Sequence, residues 1–494
     1  MSLPSSVGLP QEMMLGHLDY SIPPDAKSYS VKVQPSNIST YTTTFSTGSA
    51  ATTYWGDMNC PAQNIIFDIP CGGSPSMFLD NRFTTLNFQM TVSFTAAGTQ
   101  NTGTFYDSYL RGGAYSWFDR LYITSQNGQI IEDIGEFGLI NDTLIALQMN
   151  NAVRHGVANQ YGFDTANPGV IASRGHQINV LSSGNTTIAT TQTETHTYSI
   201  PLASGVVGVL ADKFLNIGRT SKLQVVLQTS PIIPITGGTN GAWTAAGTVQ
   251  IQLSNFSLQT EIIDIGINAL QMLDQTLVDG KSYIHGTTYR TSSASLPAVS
   301  GFTSLLAGIR ASSVKSLFCR FVPSGTANAT NGLHGKYNSF NPLLNSINFS
   351  VGGIKFPQTP INPLLSPSQA FRETQMAIGS FNNSQFQSCI IPKDYCRLTA
   401  GGTAQALTVG ATQEWNWNVG GDVVTAQSQF IFGENVEVCA RRGLLSGLNC
   451  TSAPIFVEMN ISSAPTNAHT LYVQAMVDHV IIHDVRSGDI QIRI

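Results

Sequence analysis

Phe83-Thr-Thr-Leu-Asn-Phe-Gln-Met-Thr-Val-Ser-Phe94 is the stretch on which the fold class turns. Leu86, Phe88, Met90, Val92 and Phe94 fall on one face at a period of two, and Thr85, Asn87, Gln89, Thr91 and Ser93 fall on the other. That alternation describes a strand half-buried against a second sheet. The same period recurs outward along the chain. Trp117–Ile134 carries two apolar runs around Asn127-Gly128, which reads as a hairpin with a type I′ turn. Val249–Leu253 alternates and then slips phase at Ser254-Asn255, the mark of a bulge. Further strands are expected at 223–228, 314–322, 347–351, 354–356, 455–461 and 471–485.

Helical spacing is rare. It predicts a helix over 263–278 (Ile263, Ile267, Leu270, Leu273, Leu277) and shorter ones over 205–214 and 366–378. Long polar stretches near 164–195, 229–247, 323–338 and 397–412 read as surface loops. The helix over 263–278 separates two strand-rich halves of similar length. The pattern therefore predicts an all-β chain of two sandwich domains: an arm over 1–60, a first domain over 61–262, a helical linker over 263–280 and a second domain over 281–494.

With 494 residues the chain exceeds the roughly 250–300 at which single cores stop growing. It is 42% hydrophobic but only 11% charged, against about 25% charged in ordinary soluble domains. Ser, Thr, Asn, Gln and Gly take the place of the missing charge. Disordered and coiled-coil classes are thereby excluded, and no apolar run of spanning length occurs. The net charge is −5, and Lys27 and Lys32 are outnumbered within the arm by Glu12, Asp19, Asp25 and Asp57. Direct nucleic-acid binding, which draws its affinity from Lys and Arg, is not expected.

The opening MSLPSSVGLPQEMML lacks a basic start and an apolar core, so no secretory signal is read there. Seven scattered cysteines without a CxxC pair read as neutral thiols, and sequons from Asn37 to Asn460 as unglycosylated.

No motif for chemistry survives its geometric test. Gly280-Lys281-Ser282 ends like a phosphate-binding loop, but Gln275 stands where the leading glycine belongs. Gly205-Val-Val-Gly208 lacks the βαβ context of a dinucleotide site. His479 and His483 lie in an expected strand, about 13 Å apart, too far to share one ion. Glu132 and Asp133 are neighbours and point to opposite faces. The chain is expected to be no enzyme, with no catalytic residue, metal or cofactor. Uncharged polar flanks suit burial against copies of the same chain, because interface cores are depleted of Lys and Glu.

Several segments carry a family resemblance. Tyr198-Ser-Ile-Pro-Leu-Ala-Ser-Gly-Val-Val-Gly208, running through Lys213-Phe-Leu into Leu223-Gln-Val-Val-Leu, resembles the end of the first jelly roll in double jelly-roll major capsid proteins of polinton-like viruses, virophages, adintoviruses and adomaviruses. Tyr109–Ile123 with Ile130–Ile134, Ser313–Phe318, Asn345–Pro357 with Ser366–Phe381, and Val477–Ile482 with Ile490–Ile494 are similar to family segments in the same order. The resemblance covers about 60–494. It implies two tandem eight-stranded jelly rolls standing upright in a shell, subunits joined as trimers of nearly hexagonal outline, and trimers tiling the facets of an icosahedral virion. Implied partners are further copies of the chain and penton and minor capsid proteins, and the acidic arm adds an internal membrane or an intermediary protein as an expected contact on the inside of the shell. Leu86, Phe88, Met90, Val92, Phe94, Trp117 and Phe118 are then expected to form the first roll's core, and Val477 and Ile481 to belong to the second. The competing readings are a tandem β-sandwich lectin or adhesin, which calls for a signal peptide and paired cysteines, and a β-sandwich hydrolase, which calls for convergent carboxylates or a metal.

Overall fold

The computed structural model describes residues 26–493, apart from 48–57, 97–104, 111–112, 151–152, 154–155, 163–175, 182–191, 212–213, 234, 240–246, 276, 278, 325–336, 338, 380–387, 391–394, 396–428, 439–445 and 466–467. Four larger antiparallel sheets carry the fold. Sheet I runs in the order Lys27–Val33, Gly247–Asp264, Met77–Ala96, Gln192–Pro201, with Thr40–Thr47 and Leu215–Asn216 paired alongside. Sheet II runs Asn64–Ile69, Leu223–Thr229, Phe118–Ser125, Ile130–Gly135. In the second half, sheet III runs Lys281–Leu296, His469–Asp484, Val314–Pro323, Ile431–Asn435, with Ile490–Arg493 beside His469–Asp484. Sheet IV runs Gly301–Ala307, Ile455–Ile461, Leu344–Val351, Ile354–Ile361.

The deciding stretch lies inside a strand of 20 residues, Met77–Ala96. Leu86, Phe88, Met90 and Val92 are buried, as are Trp117 and Phe118. Phe88 explains why the sandwich closes: its ring meets Phe118 of sheet II at 5.4 Å, edge to face, and Tyr198 and Phe256 of sheet I at 5.3 and 5.9 Å. Phe94 pairs with Gln192 and Val249 in the ladder, and its side chain lies outside the described residues. Val477 packs in the second half's core. Ile481 is buried too, on the same strand of the second half, and with Ile284, Tyr289 and Ile490 it joins the first half's apolar cluster. The one strand thus serves two cores along its length.

Four expectations are corrected, and one element was not expected. Lys27–Val33 and Thr40–Thr47, read as part of an arm, pair along Gly247–Asp264, because their alternating Thr, Ser, Tyr and Val match its ladder. The helix read over 263–278 occupies only Gly266–Asp274; Ile263 still belongs to the long strand, and Ile267 faces solvent. Residues 205–210 form consecutive tight turns and no helix. The Asn127-Gly128 turn is no type I′, since only Gly128 takes a positive φ, of 73°. Ser125 O accepts from Gly128 N, leaving Gly128 to close the hairpin as a bulge. Lastly, the helix Phe137–Gln148 has no counterpart in the sequence reading. The bulge at Ser254-Asn255 is present, with Asn255 at φ 53°. The helix Pro367–Ile378 is capped by Gly379 in the left-handed region. Of the polar stretches, 164–195 contains the strand His176–Leu181 and the start of Gln192–Pro201, and 229–247 contains Ile235–Thr239. Residues 397–412 and most of 323–338 lie outside the described residues.

Candidate functional site between the two halves

The sequence motifs come to rest as structural elements. Lys281 opens a strand where a phosphate-binding loop would open a helix. Asp133 pairs with Arg120 at 2.7 Å, half-buried, while its neighbour Glu132 turns to the opposite side and is 1% exposed. His479 and His483 are fully buried on one face of His469–Asp484. Among the described residues no three His, Cys, Asp or Glu side chains converge as a metal site. No described helix is long and apolar enough to cross a membrane.

What the structure does gather is a buried polar junction joining the halves. Glu132 stands on Ile130–Gly135, the edge of sheet II that abuts Lys281–Leu296 of sheet III. Its Oε1 accepts from Gly205 N at 2.9 Å and from Thr288 Oγ1 at 2.8 Å, and its Oε2 accepts from Ser204 Oγ at 2.5 Å. Ser204 Oγ in turn accepts from Val206 N and Val207 N. The tight turns of 205–210 are therefore organised by a carboxylate and a serine, which is why an apparently helical spacing folds otherwise. From the other side His479 Nε2 lies 3.1 Å from Gly205 O. A Cβ on Gly205 would sit 2.3 Å from the imidazole Cε1 and 2.4 Å from Thr287 O, and one on Gly286 would sit 2.7 Å from Nε2. The ring fills the space that two glycines leave open. Thr220 Oγ1 reaches His483 Nε2 at 3.5 Å, and an Ala211–Gly286 bridge continues the backbone contact. Burial lowers the pKa of His483 below its usual value of 6.5.

The helix Phe137–Gln148 is the second tie. Its residues 137–147 are all buried, with Phe137 and Ile140 in the first core and Ala146 and Leu147 in the second. Fully buried Arg320 of sheet III donates to Asp142 Oδ2 at 2.7 Å, to Thr143 Oγ1 at 3.2 Å and to Tyr337 O at 2.7 Å. A buried guanidinium with its charge and two further donors answered is tolerable; unanswered it would be strongly destabilising. Ser388 Oγ donates to Ala146 O at 2.7 Å on the same helix.

The flanks differ from the junction. Across the outer face of sheet I, Thr91 meets Thr195, Ser93 meets Thr193, Asn255 donates to Gln89 and Gln259 to Ser30. That face is a hydroxyl and amide ladder. The five cysteines in described segments form no disulfide. Burial pushes the Cys71 thiol up to about 12 and the Cys450 thiol to about 11.

No protein-family model and no curated protein matches the chain. Solved structures do. A chain in the cryo-EM structure of the Sputnik virophage aligns over 92% of this chain and 88% of its own length, at 11% identity and a TM-score of 0.53. The mavirus major capsid protein aligns over 90% of both chains, at 10% identity and a TM-score of 0.50. This chain has the double jelly-roll fold, mostly β with few helices, as the sequence reading expected.

Proposed function

We propose that this chain is a viral major capsid protein that acts as a building block and carries out no reaction. The observation that carries the reading is the double jelly roll matched over nine-tenths of the mavirus major capsid protein, with two sandwiches fastened by a buried junction. A brick must transmit load without hinging. Domains that share only a linker and a modest polar contact move by default, whereas here a helix is buried in both cores and a carboxylate takes donors from both halves. The proposed units are 61–262, enlarged by the two strands of residues 27–47, and 281–494, with 263–280 between them.

In this reading three chains close a heterologous ring whose six sandwiches give a nearly hexagonal outline, and the rings tile a flat facet. The uncharged ladder on sheet I suits such contacts, since hydroxyls and amides can exchange partners on burial without desolvating a full charge. Penton and minor capsid proteins, with an internal membrane or an intermediary protein, complete the proposed partners, and the virion is the proposed location. Native mass spectrometry and negative-stain microscopy of the purified chain test this. A trimer of hexagonal outline or closed shells is expected; a monomer that binds glycans on an array would overturn it.

A further inference from the structure

A sheet edge carries unpaired backbone groups, and proteins blunt such edges with charge, proline, a bulge or a cover. Among the described residues most edges of the main sheets do so, although Thr40–Thr47 on sheet I, which exposes threonines, carries neither charge nor proline. On sheet I the edges carry Lys27 and Lys32 at one side and Glu194 and Pro201 at the other. On sheet II, Ser36 N and the Asn37 side chain satisfy Ile66, while the opposite edge meets the second half. On sheet III, Thr374 Oγ1 donates to Ile431 O and accepts from Gly433 N, and the far edge bears Lys281 and Arg290 and bridges to Ala211. On sheet IV, Ile354–Ile361 carries Lys355, Pro357 and Pro360.

The remaining edge of sheet IV, Gly301-Phe-Thr-Ser-Leu-Leu-Ala307, has none of these devices. It pairs with Ile455–Ile461 on one side without a register shift, and no hydrogen bond joins its other side to a described residue. Phe302 is 70% exposed and Leu306 55% exposed, on the same face as exposed Ser304. Thr303 and Leu305 point the other way, Leu305 onto the core.

We propose that this edge pairs, antiparallel, with the same edge of a second copy of the chain. The occupant follows from the side-chain order. A two-fold centred on Ser304 sets Ser304 against Ser304 and each Phe302 against the partner copy's Leu306, an aromatic–aliphatic pair of the kind that stabilises cross-strand contacts. The strand is thus complementary to itself, as a two-fold contact requires. The proposal rests on the capsid reading and deepens it: the contact joins two building blocks and is separate from the three-fold ring.

The test is S304C under mild oxidation, with the parent chain as control for native thiols. Facing residues in antiparallel strands have Cα atoms about 4.5 or 5.5 Å apart, within disulfide reach. The expected result is a disulfide-linked dimer on a non-reducing gel, with a 304–304 peptide identified by mass spectrometry, and its loss in S304C combined with F302K and L306K. Trimers or shells that form while S304C stays uncross-linked overturn the edge contact and leave the capsid reading standing. A cross-linked dimer without trimers or shells supports the edge contact and overturns the capsid reading; a monomer without cross-link overturns both.

Discussion

Replacing Glu132 by alanine tests whether the junction holds the halves together. Three donors lose their acceptor: the Gly205 amide and the Ser204 and Thr288 hydroxyls. The amide is fixed by the turn, and leaving it unsatisfied costs about 1–3 kcal/mol; the hydroxyls can rotate, so about 1 kcal/mol each is a fair charge. With the lost side-chain packing the sum is about 4 kcal/mol, a large part of a typical total stability of about 5–15 kcal/mol. Glu132→Gln should cost less, about 1–2 kcal/mol. Its carbonyl can keep the Gly205 and Thr288 bonds, but its amide then faces Ser204 Oγ, which already accepts from Val206 and Val207. Hydrogen exchange read by mass spectrometry over 204–210 is the assay, because a chain of this size need not unfold in one step. Exchange there should quicken by roughly a hundredfold or more in the alanine variant, at tenfold per 1.4 kcal/mol, and about tenfold in the glutamine variant. Parent-like exchange in Glu132→Ala, with an unchanged melting temperature, would refute the view that this carboxylate organises the junction.

Other perturbations have defined outcomes. Phe88→Ala removes a ring that touches both sheets of the first sandwich and should cost about 3–5 kcal/mol by thermal or urea unfolding; a parent-like midpoint would count against the assigned core. Burial, and then the nearby Glu373, raise the Glu434 carboxyl from 4.5 to about 8. The folded chain therefore keeps a proton that the unfolded chain releases, so stability should be full below about pH 4.5 and fall as pH rises through 8. Glu434→Gln should flatten that slope in melting scans, and an unchanged slope would assign it elsewhere. His483 acts with the opposite sign: its lowered pKa makes stability fall as pH drops below 6.5, and His483→Gln should lessen that acid loss. At pH 7.5 the Cys71 and Cys450 thiols should react with iodoacetamide far more slowly than a free cysteine, and rapid labelling without denaturant would contradict their burial.

The fold was legible in several strands whose buried and open faces alternate. Ile455–Ile461 alternates buried and half-buried residues, and its bounds follow from the sequence to the residue. The helix Phe137–Gln148 was invisible for the converse reason. Both cores press on it, so FGLINDTLIALQ carries apolar side chains all round and shows no stripe at the helical period. At 205–210 the spacing resembles a helix, but the turns obey Glu132, 73 residues away from Gly205. Separations of 72 to 274 residues link the junction's members, and no local pattern encodes such a meeting. Local reading did place Glu132 and Asp133 on opposite faces and His479 and His483 along one strand; what it missed was the second half waiting on the far side of each.

That asymmetry bears on how the chain could have been selected. Gly205 and Gly286 leave the room that one imidazole occupies, and Thr288 and Ser204 answer one carboxylate. Each group is ordinary alone, and each is costly to change singly, because a buried donor or acceptor left behind carries its full desolvation penalty. The outer flank of sheet I is built on the opposite rule: its Thr, Ser, Asn and Gln pairs are half-exposed, interchangeable and uncharged. A rigid interior junction with permissive flanks is what a repeating block requires. In the proposed capsid role its two sandwiches would keep one geometry through every copy, while its sides would meet neighbours at more than one angle.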